Sequence, residues 1–283
     1  SGAEIGSTYQ LNISHNTGGQ GREQVNGNID STSQIVSGVD VSGIDDGELL
    51  YQFSLTDKAG LVGNTVTATI NKDTIVPQVS SVAVPANDTY ILGQVLPFNV
   101  TFDDVVTLTN SPQLSINIGG VTRQAFYVSG SGTNNLLFNY AVQAGETDLD
   151  GIVVSILELN NATIEDANGN DVILKLNNIA ATTSVLVDGV VPVVTSVTVP
   201  ANGTYKLADT LNFSVNVNDK IQAVGSPQLS IKIGTVDRLA TYVPGGNSAV
   251  LNFQYQVAAG DLDANGIEIN SLEFNGAPLL DVN

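Results

Sequence analysis

The feature that most constrains this chain is an internal repeat with a constant spacing of 115 residues. Val82–Tyr90 returns in similar form as Val197–Tyr205, and Ser111–Ile116 returns with an identical sequence as Ser226–Ile231. The register continues without a gap from residue 82 to residue 168. Because a repeat of this length matches one compact domain, we expect a tandem array of similar modules.

The repeat divides the chain into three modules, which are 1–77, 78–192 and 193–283. The junction segments Asp73–Pro77 and Asp188–Pro192 keep the same spacing. The second module continues through Val172–Leu176, whereas the third stops at Asn283, so we expect the third to lack its last strand. The first module is diverged and short at its front, and the chain contains no Met. The sequence therefore predicts an excerpt of a longer array.

Apolar and polar residues alternate in several segments of each module. Leu96–Phe102, Leu114–Ile118 and Leu136–Val142 follow this pattern, and each has a counterpart 115 residues later. Such alternation predicts strands with one buried face, and Gly119-Gly120 between two of them predicts a hairpin. No segment keeps a helical period over three turns. The predicted fold class is therefore all-β, with tandem immunoglobulin-like antiparallel β-sandwiches arranged end to end.

Composition excludes several kinds of function. The chain has 28 acidic and 9 basic residues, a formal net charge of −19, a single His and no Cys. It can form no disulfide or thiolate metal site, and one His leaves little room for a His-based zinc site or a Ser-His-Asp triad. Its negative charge repels nucleic acid, and no apolar run is long enough to insert into a membrane. We predict that the protein is not an enzyme and that its partner is a cation.

Several phrases resemble repeats of a known class of proteins. SVTVPANGTY (196–205), SPQLSINIGG (111–120) and IEDANGND (164–171) look like the Ig-like repeats of giant bacterial surface adhesins exported by type I secretion, the RTX-type adhesins. Residues 3–74 resemble a second Ig-like repeat class from the same proteins. The resemblance implies a non-catalytic extracellular stalk on the bacterial cell surface, which takes part in adhesion and biofilm formation. In many such proteins calcium at the junctions stiffens the stalk.

The acidic residues collect in loops. Glu146–Gly151 and Asp261–Gly266 place oxygen-bearing side chains at alternate positions before a Gly, like the first half of a calcium-binding loop. The match is partial, since position 12 of a full calcium loop would be Leu157 or Leu272. A solvated turn is the alternative interpretation. Arg123 and Arg238 lie beside Gly-rich hairpins, and we expect each to pair with a local carboxylate.

Sandwich topology predicts that these loops meet where one module follows another. At the junction of modules one and two, the expected ligands are Asp45, Asp46, Asp73, Asp103, Asp104, Asp166, Asn168 and Asp171. At the junction of modules two and three, they are Glu146, Asp148, Asp150, Asp188, Asp219, Asp281 and Asn283. So many carboxylates repel one another unless a cation lies between them. Ca²⁺ fits best because it takes six to eight oxygens in irregular geometry.

These observations favour a structural stalk segment of a surface adhesin, whose partners are the neighbouring modules of the same longer chain. Two alternatives remain open. One is a self-assembling surface-layer or filament subunit. The other is a module that binds a glycan or a host-surface protein directly.

Overall fold

The computed structural model describes residues 4–274 and 279–281. Within them the chain is all-β, contains no helix, and forms mostly antiparallel sheets that curl into sandwich-like halves. The residues form two compact units. The first comprises Ser1–Gln78, Asp104–Thr107 and Ile164–Ile173, and the second comprises Val79–Asp103, Leu108–Thr163 and Leu174–Asn283.

A four-stranded antiparallel sheet dominates the first unit. Its strands are β1 (Thr8–His15), β2 (Arg22–Asn28), β3 (Gly47–Thr56) and β4 (Val66–Lys72), in the order β2-β1-β3-β4. Alternate residues of β1 and β3 point to one face, where Leu11, Ile13 and Leu49 are buried against Ile44 of the preceding loop. This burial explains the alternating sequence of β1, since a period of two directs every second side chain inward.

The next ten strands belong to the middle of the chain. They are β5 (Val79–Ala83), β6 (Asp88–Ile91), β7 (Val95–Thr109), β8 (Gln113–Ile118), β9 (Val121–Ser129), β10 (Thr133–Ala141), β11 (Thr147–Asp148), β12 (Val153–Glu158), β13 (Thr163–Glu165) and β14 (Val185–Asp188). One sheet has the order β12-β8-β9-β10-β7-β13, with β5 also paired to β7. A smaller sheet has the order β11-β14-β6.

The last seven strands repeat this plan. They are β15 (Val194–Thr198), β16 (Thr210–Ala223), β17 (Gln228–Ile233), β18 (Val236–Val243), β19 (Ser248–Gln256), β20 (Glu268–Glu273) and β21 (Leu279–Asp281). Their sheet has the order β15-β16-β19-β18-β17-β20, and β21 pairs with β16. Phe213, Ile231 and Phe253 lie at the centre of its apolar core. Corresponding strands of the two copies therefore occupy corresponding places in their sheets.

The strands predicted from alternation are confirmed. Leu96, Phe98, Val100 and Phe102 are all buried along β7. β8 and β9 form the expected hairpin, in which Gly119 and Gly120 both have positive φ, at 55° and 83°. Two successive residues with positive φ fit a tight turn that only glycine adopts without strain.

Two features differ from the sequence-based expectation. Val172–Leu176 forms no continuous strand, since Ile173 makes only an isolated parallel bridge to Gln78. The strand that ends the second copy is instead β14, which pairs in parallel with β6 and antiparallel with β11. The long loop before β14 carries apolar residues at strand-like spacing, but its backbone follows the edge of β5 through single bridges.

Candidate metal centre

Three aspartates of the second unit converge on one point. Asp188 ends β14, Asp219 lies in β16 and Asp281 ends β21. One carboxylate oxygen from each lies within 4.8 Å of the others. Asp188 is buried, and Asp219 and Asp281 are half-buried. Sequence reasoning predicted all three as ligands at the junction of modules two and three, and the structure brings them together.

Backbone pairing explains why these residues meet. Ile221 of β16 lies opposite Asp281 of β21, which brings Asp281 close to Asp219. The segment after Asp188 is held against β16 by Asn218, whose Oδ1 accepts the Val193 N–H at 2.7 Å. The approach of the three carboxylates therefore follows from strand register rather than from flexible side chains alone.

The same chain turn orients Asp188 and its repeat equivalent. Asp188 Oδ1 accepts the N–H of Val190 at 3.0 Å, and Asp73 Oδ1 accepts the N–H of Ile75 at 3.0 Å. Asp219 Oδ1 accepts the N–H of Lys220 at 2.7 Å. These bonds fix the direction of each carboxylate.

Three carboxylates at this separation suit a hard divalent cation. Like charges a few ångströms apart repel one another, most strongly where burial lowers the dielectric. An oxygen-only donor set matches Ca²⁺ or Mg²⁺ and not a metal that prefers nitrogen or sulfur. The residues present therefore fit a hard divalent cation, to which they would supply three oxygens.

The repeat-related positions in the first unit are arranged differently. Asp73 and Asp166, the equivalents of Asp188 and Asp281, each accept a bond from an amide. Asn168 Nδ2 donates to Asp73 Oδ2 at 2.7 Å, and Asn170 Nδ2 donates to Asp166 Oδ2 at 2.8 Å. Burial alone would raise the pKa of Asp166, but hydrogen bonds from Asn170, Asn168 and Gly169 outweigh it and lower that pKa.

The remaining residues predicted near Asp73 have local partners. Asp46 pairs with the Lys72 ammonium at 2.9 Å and accepts two bonds from Thr74, and these contacts lower the pKa of Asp46 to about 2. Asp45 Oδ2 accepts the Gln20 N–H at 2.8 Å. Of the other predicted residues, Asp103 and Asp104 lie in β7, and Asp171 forms an isolated bridge with Glu165. Their metal role stays a prediction.

The loop that contains Glu146 and Asp148 lies beside Asp188, as expected, because Thr147 pairs with Asp188. Asp148 is buried, and its two oxygens accept the N–H groups of Gly119 and Gly151 at 2.7 and 2.8 Å. It thus ties the β8–β9 hairpin to its own loop. Asp150 is exposed, and the predicted ligand Asn283 lies outside the described residues.

Glu146 is the centre of a buried polar network that includes Arg123. The Arg123 Nε and the Tyr140 hydroxyl both donate to Glu146 Oε1, and the Gln143 N–H donates to Oε2 at 2.8 Å. Burial raises the pKa of Tyr140 to about 12, aided by its bond to Glu146. The predicted pairing of Arg123 with a local carboxylate is confirmed.

The third module repeats this network with a shorter acid. Arg238 Nε donates to Asp261 Oδ1 at 2.9 Å, while the Tyr255 hydroxyl and the Ala258 N–H donate to Oδ2 at 2.7 and 2.8 Å. The predicted pairing of Arg238 is therefore also confirmed. The contribution of the tyrosines was missed, although the constant spacing of Arg, Tyr and acid in both copies was a usable signal.

Comparison with protein-family models and with curated proteins finds no match for this chain. Among the described residues, no helix is present that has the length and apolar character to cross a membrane.

Proposed function

We propose that this chain is a structural stalk segment of a bacterial surface adhesin, built from immunoglobulin-like modules in tandem, and that calcium stiffens the link between its second and third modules. The observation that carries the proposal is the convergence of Asp188, Asp219 and Asp281 within 4.8 Å. The repeat adds support, because a module that recurs along the chain suits a structural role better than a unique active site.

The proposed role follows from where the three carboxylates come in the chain. Asp188 precedes the third module, whereas Asp219 and Asp281 belong to strands within it. A bound calcium ion would supply two positive charges that offset the mutual repulsion of the carboxylates. Asp188 would then be tied to β16 and β21, and the short segment between Asp188 and Val194 would lose its freedom to bend. In the absence of calcium, repulsion between the same groups would loosen this segment.

Calcium binding to the full chain tests the proposal. Isothermal titration should detect a Ca²⁺ site in the range of extracellular modules, about 10⁻⁴ to 10⁻³ M. Calcium should raise the melting temperature, since a ligand that binds only the folded state stabilises it, and EDTA should reverse the shift. The maximum dimension from small-angle scattering should change on chelation.

A matched pair of variants makes the test specific. Asp219→Asn removes one charge from the group, whereas Asp237→Asn removes one charge from the same module at an exposed site where the amide oxygen can still accept the Asn270 bond. The first variant should lose the calcium response, and the second should keep it. An absent response in the parent chain, or an equal loss in both variants, would refute the calcium site.

A further inference from the structure

We propose that strand β4 is a docking edge for a second copy of this chain, which pairs with it antiparallel about Ala68 and extends the four-stranded sheet into an eight-stranded one. β4 is the last strand in the order β2-β1-β3-β4. Every residue from Val66 to Asn71 is exposed. An uncovered outer strand presents a row of backbone N–H and C=O groups that can pair with another strand.

Residues 66–71 of β4 lack the devices by which proteins usually protect such an edge. Residues 66–71 read VTATIN and contain no charge, no proline and no glycine, and β4 pairs with β3 in continuous register without a bulge. Four of these six residues are β-branched, which favours an extended strand. The opposite edge, β2, carries Arg22, Glu23 and Gly27. In the other large sheets, β12, β15 and β20 are edge strands. Each of them pairs with its neighbour through a register shift at a bulge or irregularity. The missing protection is thus particular to β4 among these edges.

The sequence around β4 indicates that the partner is a second copy. Read outward from Ala68 in both directions, residues 64–72 are self-complementary in size and polarity. An antiparallel pair centred there places Ala68 opposite Ala68 of the second copy, Thr67 opposite Thr69, and Val66 opposite Ile70. Such an arrangement is an isologous twofold interface, in which each contact occurs twice.

Both faces of the extended sheet match in this register. Val66 and Ile70 are 67% and 57% exposed in the single chain, and they would cover each other on the side that continues the apolar face of β3. Thr67 and Thr69 would pair on the polar side, where threonine pairs form favourable cross-strand contacts. No like charges face each other, because the first charged residue, Lys72, lies opposite Asn64. Along this charge-free stretch of an acidic chain, two copies can approach each other without local repulsion.

A pair of double variants tests the register directly. Thr67→Lys with Thr69→Lys places lysine opposite lysine across the proposed interface, whereas Thr67→Glu with Thr69→Lys places glutamate opposite lysine twice. Sedimentation of the parent chain should show the average mass rising toward twice the monomer mass with concentration. The double lysine variant should stay monomeric, and the Glu/Lys variant should dimerise again. Gln24→Lys with Asn26→Lys, two exposed residues on β2, adds the same charge and should leave dimerisation unchanged.

Disulfide trapping supplies a second measurement. Because the chain has no cysteine, Ala68→Cys introduces one thiol that faces its own copy only in the proposed register. Oxidation with copper–phenanthroline should cross-link Ala68→Cys several-fold faster than Asp57→Cys at the same concentration. A parent chain that remains monomeric at millimolar concentration would overturn the proposal. So would equal cross-linking of the two cysteine variants, or failure of the Glu/Lys variant to restore the dimer while remaining folded by circular dichroism.

Discussion

The network around Glu146 provides a quantitative test of what stabilises the second copy of the repeat, through replacement of Glu146 by Ala and by Asp. The Glu146 side chain is 4% exposed, and three donors point at it. Alanine removes the common acceptor of all three. Aspartate keeps a carboxylate, and the third module already uses Asp261 at the same place with the same kinds of partner.

The expected loss in the free energy of unfolding is the sum of the costs at the three donors. The Arg123 side chain is 35% exposed, so water can replace its lost acceptor. Tyr140 is buried and the Gln143 N–H donates to an oxygen of the buried Glu146, so each loses its acceptor at a cost of about 1–3 kcal/mol. Glu146→Ala should therefore destabilise the fold by about 2–6 kcal/mol, a range that includes the cost of about 3–5 kcal/mol for breaking a buried ion pair. Glu146→Asp should cost about 1 kcal/mol, close to one buried methylene.

Differential scanning calorimetry distinguishes these outcomes. A loss of about 3 kcal/mol should lower the melting temperature of the transition that contains this module by about 6–12 °C, and the Asp variant should lower it by about 2–4 °C. Because the chain has two compact units, the transitions are expected to separate, and only one of them should shift. Equal shifts for Ala and Asp would refute the reasoning, since they would show that retaining a carboxylate at this position makes no difference to stability.

Two further predictions concern backbone space and pH. Gly151→Ala should lower the melting temperature in calorimetry more than Gly266→Ala does. Both glycines have φ above 100°, so the backbone strain is similar. An added Cβ at Gly151 would lie 2.4 Å from the Thr182 carbonyl oxygen, whereas at Gly266 it would meet nothing within 4 Å. Equal losses would show that positive φ alone sets the cost. Stability should fall as pH drops below about 4.5. Burial alone would raise the pKa of Glu146, but bonds from Tyr140 and Arg123 outweigh burial and hold that pKa below 4.5 in the folded state. The contribution of Glu146 to stability is therefore present above pH 4.5 and is lost as pH falls through the lower folded value. Urea unfolding at stepped pH measures this, and Glu146→Ala should show a weaker acid dependence.

The strands were predictable because alternation is a local signal. Leu114, Ile116 and Ile118 sit on one face of β8 and are buried as their spacing requires. The turn at Gly119-Gly120 was predictable for the same reason, since two adjacent glycines between alternating runs leave few other conformations. The parallel pairing of β6 with β14 was not predictable, because it joins segments nearly 100 residues apart that carry no matching local pattern.

The roles of the acidic residues in the loops could not be predicted from the sequence alone. Alternating oxygens at Glu146 and Asp148 look like cation ligands, yet Asp148 accepts two backbone N–H groups and Glu146 accepts three protein donors. A carboxylate that binds a cation and one that caps a loop have the same sequence signature, since both need an acid beside a glycine turn. Only the positions of the donors distinguish them. Sandwich topology, by contrast, predicted that this loop lies near Asp188, and Thr147 of the loop pairs with Asp188.

The two copies of the repeat differ in a way that bears on the proposed cation site. In the first unit, Asp73 and Asp166 accept amide N–H groups from Asn168 and Asn170, so their oxygens already face donors. In the second unit, the equivalents of these aspartates come together with Asp219 as three oxygens within 4.8 Å. An Asn side chain can donate through its NH₂ group, whereas an ionised carboxylate only accepts. Asn168 can therefore pair with Asp73 in the first copy. Because three carboxylates repel one another more strongly than a carboxylate and an amide do, the proposed divalent ion would stabilise the second copy more than the first. Calcium should raise the melting temperature mainly through Asp188 and much less through Asp73.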